Sequence, residues 1–248
     1  MGHSLVFMPE CHSTNDEASR LIESSNVLEG TLVITNHQTA GRGQRGNTWV
    51  SEAGKNLTFS LLIKPSFLPV KDQFYLNMAI SLGLIDYLSA ALKAEVKIKW
   101  PNDIIVSDKK ICGILIENHV HGQHIPHIIV GIGLNVNQIF FSISTATSMT
   151  LQKGGEFLLE QVLPDLLGCL ETRYLQLRSG NFEELNRAYH SLLYWIGEKH
   201  FFSTTSQSPP IGGEFEGTIT GVDELGKLKV ETEQGTRTFG VKEVGFIK

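Results

Sequence analysis

The chain has 248 residues, of which 41% are hydrophobic and 19% are charged, and its formal net charge is -5. This size and composition predict one large globular domain and a smaller one, and the negative charge argues against a nucleic-acid-binding surface as the main function. No apolar run approaches the roughly 20 residues that span a bilayer, and the N-terminus lacks a signal-peptide pattern, so we expect a cytoplasmic protein without a membrane partner.

The first predicted elements are a strand and a helix. Residues 3 to 8 form a short apolar run, and residues 12 to 17 then carry the Thr-x-x-Glu spacing typical of a helix start. The side chains of Ser13, Thr14 and Asn15 can cap this helix, or they can face a polar ligand from its N-terminus. The segment alone leaves both interpretations open.

A glycine-rich loop joins two β-rich runs, residues 31 to 35 and residues 57 to 63. Within six positions it holds three glycines and two arginines, namely Gly41, Arg42, Gly43, Arg45 and Gly46. Glycine lets a ligand approach bare backbone N–H groups, and the arginine fork suits carboxylate or phosphate. We interpret the segment as an anion-binding loop, although a hairpin tip with solvated arginines would have a similar composition.

The middle of the chain predicts a helix followed by a strand meander. Apolar residues recur at helical spacing over residues 74 to 92, which indicates an amphipathic helix covering a sheet. Three β-rich segments follow at residues 96 to 100, 104 to 106 and 111 to 116, and residues 127 to 136 form a further buried strand.

A polar cluster interrupts these strands at Lys99-Trp-Pro-Asn-Asp103. An Asn-Asp turn is one explanation. In the functional alternative, Asp103 holds Mg²⁺ against phosphate and Asn102 fixes a polar group. Lys110, at the start of the next strand, is either an exposed turn lysine or an ammonium that reaches over the sheet.

Glycines inside the predicted strands point to a ligand. Gly113, Gly131 and Gly133 lie within β-rich segments, and Asn135 interrupts the apolar residues that follow. Glycine in a strand usually marks close approach by backbone or ligand. We therefore expect a flat ligand to lie on the sheet.

The C-terminal third predicts helices and then short strands. Residues 157 to 177 have helical spacing, with Pro164 as a kink or restart. After residue 196, short segments between turn signals predict a small antiparallel β-barrel of about 50 residues. The histidines of residues 119 to 124 lack a cysteine or carboxylate at ligand spacing, so we expect them to be solvated.

Five motifs in this order resemble those of the biotin-protein ligases. They are Ser13-Thr14-Asn15, Gln38 with Gly41 to Gly46 and Trp49, Lys99 to Asp103, Lys110 to Glu117, and Gly131 to Asn135. The resemblance covers nearly the whole chain and implies an α+β fold with a mixed, mostly antiparallel sheet flanked by helices, similar to class II aminoacyl-tRNA synthetases. It places the catalytic domain in residues 1 to 196 and an SH3-like β-barrel in residues 197 to 248.

The resemblance also implies an activity. ATP would activate biotin to biotinyl-5'-AMP, and biotin would pass to a lysine in the biotin carboxyl carrier domain of acetyl-CoA carboxylase or a related enzyme. ATP and Mg²⁺ would be co-substrate and ion, with no bound prosthetic group. A lipoate-protein ligase or octanoyltransferase of the related fold is the alternative. Because the chain begins at the first catalytic strand, we expect a monofunctional ligase that binds no DNA, and a homodimer is possible.

By the same resemblance, two overlapping sets of residues would bind the substrates. The biotin set is Ser13, Thr14, Asn15, Gln38, Gly41, Arg42, Gly43, Gln44, Lys110, Gly113, Gly131 and Gly133. The ATP and adenylate set is Arg42, Arg45, Trp49, Asn102, Asp103, Lys110 and Asn135. The catalytic residues would be Lys110, Arg42, Arg45 and Asp103, with Asp103 as the Mg²⁺ ligand. Gln44 stands where some relatives carry arginine, which leaves the retention of the adenylate open.

Overall fold

Residues 1–24, 27–121, 124–204 and 213–247 are described in a computed structural model, apart from the side chains of residues 24, 45, 119–121, 124 and 125. The strands are β1 (Leu5–Cys11), β2 (Leu32–Gln38), β3 (Leu57–Ile63), β4 (Val96–Lys99), β5 (Asp103–Val106), β6 (Lys109–His121), β7 (His124–Leu134), β8 (Lys199–Thr204), β9 (Glu214–Val222), β10 (Leu228–Thr232), β11 (Gly235–Phe239) and β12 (Val244–Ile247). The helices are α1 (Thr14–Ser24), α2 (Phe74–Leu92), α3 (Met149–Lys153), α4 (Leu159–Arg178) and α5 (Phe182–Ser191).

The first seven strands form one sheet in the order β1-β2-β3-β7-β6-β5-β4. Its β1-β2 pair is parallel and the other neighbouring pairs are antiparallel. Strand β3 is buried along its whole length because helices and neighbouring strands cover it. The prediction of a mixed, mostly antiparallel sheet flanked by helices is confirmed.

Helix α2 is buried on nearly every side, so the amphipathic prediction for residues 74 to 92 was wrong. It packs against β4 and β5 on one side and against α4 and α5 on the other. Ser81, one of its polar residues, is fully buried, and its hydroxyl donates to Asn77 Oδ1 at 3.1 Å. This polar side chain is therefore satisfied by a hydrogen bond within the helix instead of by solvent.

By length and composition, residues 70–92 form a helical stretch that could cross a membrane, contrary to the expectation that no apolar run approaches this length. In its most apolar window, 67% of the residues are buried inside the protein. The packing of α2 between the sheet and two helices accounts for its apolar composition.

Helix α4 runs through Pro164 without a break, so the predicted restart is wrong. Pro164 lies in the second turn of the helix, where the missing N–H removes one hydrogen bond. Apolar residues on both sides of it are buried, including Val162 and Leu166. Packing against α2 holds the helix together across the proline.

The last five strands form a second, antiparallel sheet in the order β11-β10-β9-β8-β12. The predicted run of short strands after residue 196 is confirmed, and its description as an SH3-like barrel stays a prediction. Hydrogen bonds with the turn before β5 and with helix α5 help to connect this sheet to the rest of the protein. The indole N–H of Trp100 donates to the carbonyl of Gly226 at 2.8 Å, and the N–H of Val222 donates to His190 Nε2 at 2.9 Å.

The contact between α2 and α4 requires a glycine. A β-carbon on Gly83 would lie 2.9 Å from the backbone Cα of Leu170, which is closer than such atoms approach. We expect Gly83→Ala to lower the free energy of unfolding by about 1–3 kcal/mol, measured by urea denaturation. Gly168→Ala is the matched control, since an added β-carbon there meets no described atom within 4 Å. It should raise the free energy of unfolding by roughly 0.5–1 kcal/mol. Equal effects in the two variants would contradict the packing argument.

Candidate active site

One cleft collects most of the residues that the motifs single out. It has a volume of about 310 Å³ and lies over the glycine-bearing parts of β6 and β7, with residues 241–246 contributing to one wall. This volume is at the lower end of the range of about 300–1,000 Å³ that is typical of small-molecule sites. The predicted residues that line it are Ser13, Thr14, Asn15, Gln38, Arg42, Gly43, Gln44, Trp49, Asn102, Asp103, Lys110, Gly113, Gly131 and Gly133.

Three predicted residues stand apart from this group. Gly41 does not line the cleft, and a β-carbon on it would lie 2.4 Å from the backbone oxygen of Trp49. Asn135 does not line it either, and it is buried just beyond the end of β7. The backbone of Arg45 lies in a short 3-10 helix, Gln44–Gly46, and its side chain is outside the described residues.

At one end of the cleft, a side chain from β2 caps helix α1. Gln38 Oε1 accepts from the backbone N–H of Thr14 at 2.8 Å and from its hydroxyl at 3.2 Å. Thr14 and Asn15 are buried, and their side chains turn toward the sheet. The cap therefore comes from Gln38, which leaves the polar groups of this segment at the cleft wall.

Ser60 belongs to the same polar network and was missed in the sequence. It lies on β3, is fully buried, and its hydroxyl is 2.7 Å from Thr14 Oγ1 and 2.5 Å from Asn15 Oδ1. The available signal was a serine in a mostly apolar strand, and in the sheet register this serine is the partner of Gly131.

The strand glycines make room for two side chains. A β-carbon on Gly131 would overlap the side-chain oxygen of Asn15, and one on Gly133 would overlap the indole of Trp49. Gly113 lies under the same indole, with its would-be β-carbon 3.1 Å from Trp49 Cζ3. The flat group that covers Gly113 and Gly133 in this structure is the indole of Trp49, and a flat ligand on the sheet stays a prediction.

Lys110 is fixed beside this floor and is not a free turn lysine. Its ammonium lies 2.6 Å from Asp103 Oδ1 and 5.5 Å from the centroid of the Trp49 ring. Its backbone N–H donates to Thr145 and its carbonyl accepts from Thr147, at 2.7 and 2.9 Å. The ammonium is held in the cleft with 31% of the side chain exposed.

Asn102 is hydrogen-bonded to the sheet through its side chain and its backbone. Its side-chain amide donates to the carbonyl of Ile114 at 2.7 Å, and its own carbonyl accepts from the N–H of Ile114 at 2.9 Å. These two bonds attach the turn that precedes β5 to strand β6. The residue therefore positions the neighbouring Asp103, while it also lines the cleft.

The glycine-rich loop forms a narrow hairpin, residues 41–49, which we call the lid hairpin. The N–H of Trp49 donates to the carbonyl of Gly41 at 2.8 Å, and Arg42 pairs with Thr48 in an antiparallel bridge. The guanidinium of Arg42 bonds both carboxylate oxygens of Glu117, at 2.9 and 2.8 Å. It also lies 2.8 Å from Asp16.

Glu117 and Asp16 were not among the predicted site residues. Glu117 lies four residues beyond Gly113 on β6, and residues two apart on a strand share a face, so the alternation of the strand places it on the cleft side. The signal in the sequence was a carboxylate that ends an apolar run.

Two buried polar atoms near the cleft have no partner in the described part of the protein. Asn135 donates from its amide to the carbonyl of Thr147 at 2.9 Å, but its Oδ1 accepts from no described residue. The indole N–H of Trp49 is also buried and unpartnered there. A buried polar atom left without a hydrogen bond costs about 1–3 kcal/mol, so both atoms mark places where a ligand can contribute one.

The thiol next to the floor of the cleft cannot act as a nucleophile. Cys112 precedes Gly113, is fully buried, and points to the opposite face of β6. Burial raises the pKa of the Cys112 thiol well above its usual range, because the thiolate would lose its hydration. The thiol stays protonated at neutral pH, which argues against a cysteine-bound intermediate.

The comparisons with known proteins agree on one family. A sequence model described as the Biotin/lipoate A/B protein ligase family matches residues 8–135. The chain is 31% identical over 248 residues to the bifunctional ligase/repressor BirA of Bacillus spizizenii, covering 96% of this chain and 72% of that protein. It is 30% identical to the biotin-(acetyl-CoA-carboxylase) ligase of Paracoccus denitrificans, covering 94% of this chain and 97% of that protein.

A solved structure gives the same answer for the fold. The biotin protein ligase from Aquifex aeolicus in complex with biotin and ATP superposes with a TM-score of 0.80 at 25% identity, over 99% of both chains. The family model covers more than half of the sequence, and its match includes nearly all of the motifs that line the cleft. The chain therefore belongs to the biotin/lipoate A/B protein ligase family.

Proposed function

We propose that the protein is a biotin-protein ligase, which activates biotin with ATP to biotinyl-5'-AMP and passes biotin to a lysine of a biotin carboxyl carrier domain. The observation that carries this proposal is a single cleft with a hydrogen-bonding end and a cationic end on one glycine floor. Biotin is favoured over lipoate because the Paracoccus denitrificans relative is named for biotin, and the superposed structure holds biotin and ATP.

The polar end suits a cyclic urea. A ureido ring presents a carbonyl acceptor and two N–H donors, and hydroxyl and amide side chains pair with such groups. Thr14, Asn15 and Gln38 place these groups side by side on one wall, and the buried hydroxyl of Ser60 bonds Thr14 and Asn15. We assign the ureido ring to this end and add Ser60 to the biotin set given by the resemblance.

The cationic end suits the meeting of two anions. A carboxylate and a triphosphate repel one another, and fixed positive charge offsets that repulsion and stabilises the charge that develops at the α-phosphorus. Lys110 is held in place for this role by Asp103 and by two backbone bonds. We assign its ammonium to the biotin carboxylate and the α-phosphate, and Arg42 and Arg45 to the same anions.

The adenine would contact Asn135 and Trp49, the two residues that carry the unpartnered atoms. Asn135 Oδ1 can accept from an exocyclic amine, and the indole of Trp49 offers a face for stacking. Asn135 lies two residues beyond Gly133, which the indole covers, so we expect the indole to shift away from Gly133 when a nucleotide binds.

Asp103 fits Mg²⁺ that arrives with ATP. Mg²⁺ commonly takes one or two carboxylates and completes its shell with phosphates and water. Lys110 contacts one oxygen of Asp103, which leaves the other for an ion. No cluster of three His, Cys, Asp or Glu side chains lies among the described residues, so they provide no metal cage. When bound, the ion would supply further positive charge next to the phosphates. We also assign to Asp103 the role of accepting the proton that the incoming lysine loses.

The domain boundary and the wider partners remain proposals. We assign residues 1–196 to catalysis and residues 197–248 to an SH3-like barrel, and the support is that strands before and after this boundary pair in different sheets. The protein partner would be the carrier domain of acetyl-CoA carboxylase or a related enzyme. A homodimer, the absence of DNA binding and a cytoplasmic location stay predictions.

The activity is tested directly by isotope exchange. Purified protein with ATP and Mg²⁺ should exchange labelled pyrophosphate into ATP when biotin is added, because adenylate formation is reversible. It should then label the lysine of a biotin carboxyl carrier domain, detected by the mass increase of that domain. Exchange that depends on lipoate and not on biotin would replace this proposal with the lipoate alternative.

The charge assignment predicts that adenylate formation slows when the ammonium of Lys110 is removed. Lys110→Gln should reduce kcat/KM for adenylate formation tenfold or more, equivalent to about 1.4 kcal/mol or greater, because the substrate anions lose a fixed cation and meet an unpaired Asp103.

A matched control for this variant lies in the second sheet. Lys199 also pairs with a carboxylate, Glu216 at 2.6 Å, but on β8 and β9. Lys199→Gln should keep the rate of adenylate formation. If Lys110→Gln also keeps it, with the fold intact by circular dichroism, the assignment of Lys110 is wrong.

A further inference from the structure

We propose that Glu117 is a positioning residue that fastens the lid hairpin to the sheet and couples it to the polar end of the cleft. The inference rests on the proposed function, since the ligand at that end is taken to be biotin. Glu117 does this by accepting hydrogen bonds on one carboxylate from Arg42 of the hairpin and from Asn15 of helix α1.

The pairing with Arg42 fixes the orientation of the hairpin. Two parallel N–H donors of the guanidinium meet the two oxygens of Glu117 at 2.9 and 2.8 Å, a bidentate geometry that holds both distance and angle. Glu117 and Asp16 together occupy three of the five N–H donors of Arg42. Two donors remain for a ligand while the guanidinium is still fastened.

The pairing with Asn15 connects this fastening to the polar wall. The Asn15 amide nitrogen donates to Glu117 Oε2 at 2.7 Å, and the amide oxygen lies 2.5 Å from the hydroxyl of Ser60. These two partners fix which end of the amide faces the sheet. From Ser60 the chain of hydrogen bonds continues through Thr14 to Gln38. A ligand that pairs with this wall therefore acts on the same network that holds the lid.

A carboxylate is required because every partner of Glu117 is a donor. An ionised carboxylate only accepts, whereas the amide of glutamine turns one donating group toward at least one of the donors. Glu117→Gln keeps nearly the same size and shape, but it removes the charge and puts a donor opposite either Arg42 or Asn15.

Glu117 is too far from Lys110 to act in the chemical step. The ammonium of Lys110 lies beside Gly113, four residues from Glu117 along β6, which corresponds to roughly 13 Å at about 3.3 Å per residue. Arg42 keeps its charge when Glu117 is changed, so loss of the fastening should change the binding of biotin and the retention of the adenylate much more than kcat. A residue with a purely structural role would not separate these quantities.

The kinetic test uses the full chain and pyrophosphate exchange. In Glu117→Gln we expect the KM for biotin to rise tenfold or more, kcat to stay within threefold, and preformed biotinyl-adenylate to dissociate at least tenfold faster in a chase experiment. Glu216→Gln breaks a comparable surface ion pair with Lys199 in the second sheet and should leave all three quantities unchanged. An unchanged KM together with an unchanged dissociation rate in Glu117→Gln overturns the inference.

A double-variant cycle tests whether Glu117 acts through Arg42. If it does, the rise in KM caused by Glu117→Gln should largely disappear in an Arg42→Gln background, because the fastening is already lost. Additive effects of the two changes would contradict a shared role. Should Glu117→Gln fold poorly, Glu117→Asp is the second variant, because it keeps an acceptor-only carboxylate with a shorter reach. Its KM for biotin and its rate of adenylate dissociation should lie between those of the unchanged protein and those expected for Glu117→Gln.

Fluorescence tests the fastening without substrates. The indole of Trp49 ends the lid hairpin and lies on Gly113 and Gly133, so its emission reports whether the hairpin stays on the sheet. Each protein is compared with the same protein carrying Trp49→Phe, and the difference between the two emission spectra gives the emission of Trp49 without that of Trp100 and Trp195. We expect a red shift in Glu117→Gln and none in Glu216→Gln. An unshifted emission in Glu117→Gln would contradict the inference. Absence of biotin-dependent exchange in the unchanged protein would count against the proposed function alone.

Discussion

The cleft depends on the absence of side chains at three places in the sheet. Gly113 and Gly133 face one another across β6 and β7, and Gly131 is two residues away on the same face. Any β-carbon at Gly131 or Gly133 would occupy the volume now filled by Asn15 and by the indole of Trp49. Because these two side chains lie directly on the backbone, the end of helix α1 and the lid hairpin come close enough to share Glu117.

Two cations of the cleft, Lys110 and Arg42, are each paired with one or more carboxylates. Lys110 pairs with Asp103 on two neighbouring strands, and Arg42 pairs with Glu117 and Asp16. Partly buried cations with such partners are held in defined positions, so less reorganisation is needed when an anionic substrate enters. The sheet therefore presents both cations at fixed positions, although the net charge of the chain is negative.

The second sheet also takes part in the cleft through the polar cluster before β5. Trp100 is buried and donates to Gly226, while the ammonium of Lys99 lies 5.0 Å from the ring centroid of Phe246. Residues 241–246 thereby form part of the wall near Asp103.

The sequence by itself determined the strands, the order of the motifs and most of the residues that line the cleft. Hydrophobic alternation and glycine or proline placement are local signals, and they located β3 at residues 57 to 63 and α2 at residues 74 to 92 as the structure has them. The motif residues Ser13, Gln38, Lys110 and Gly131 could be assigned to one site because they matched a family pattern, even though they are far apart along the chain.

Only the tertiary structure decided what each of these groups touches. Ser60 and Glu117 looked like incidental polar residues at β-strand positions, and their partners Asn15 and Arg42 come from elements more than 40 residues away. The strand glycines correctly marked a close approach, but the approaching group proved to be Trp49, whose position depends on how the hairpin folds back onto the sheet. Local spacing encodes which face of a strand a residue occupies, whereas the identity of its partner depends on how distant strands pair, which no local pattern contains.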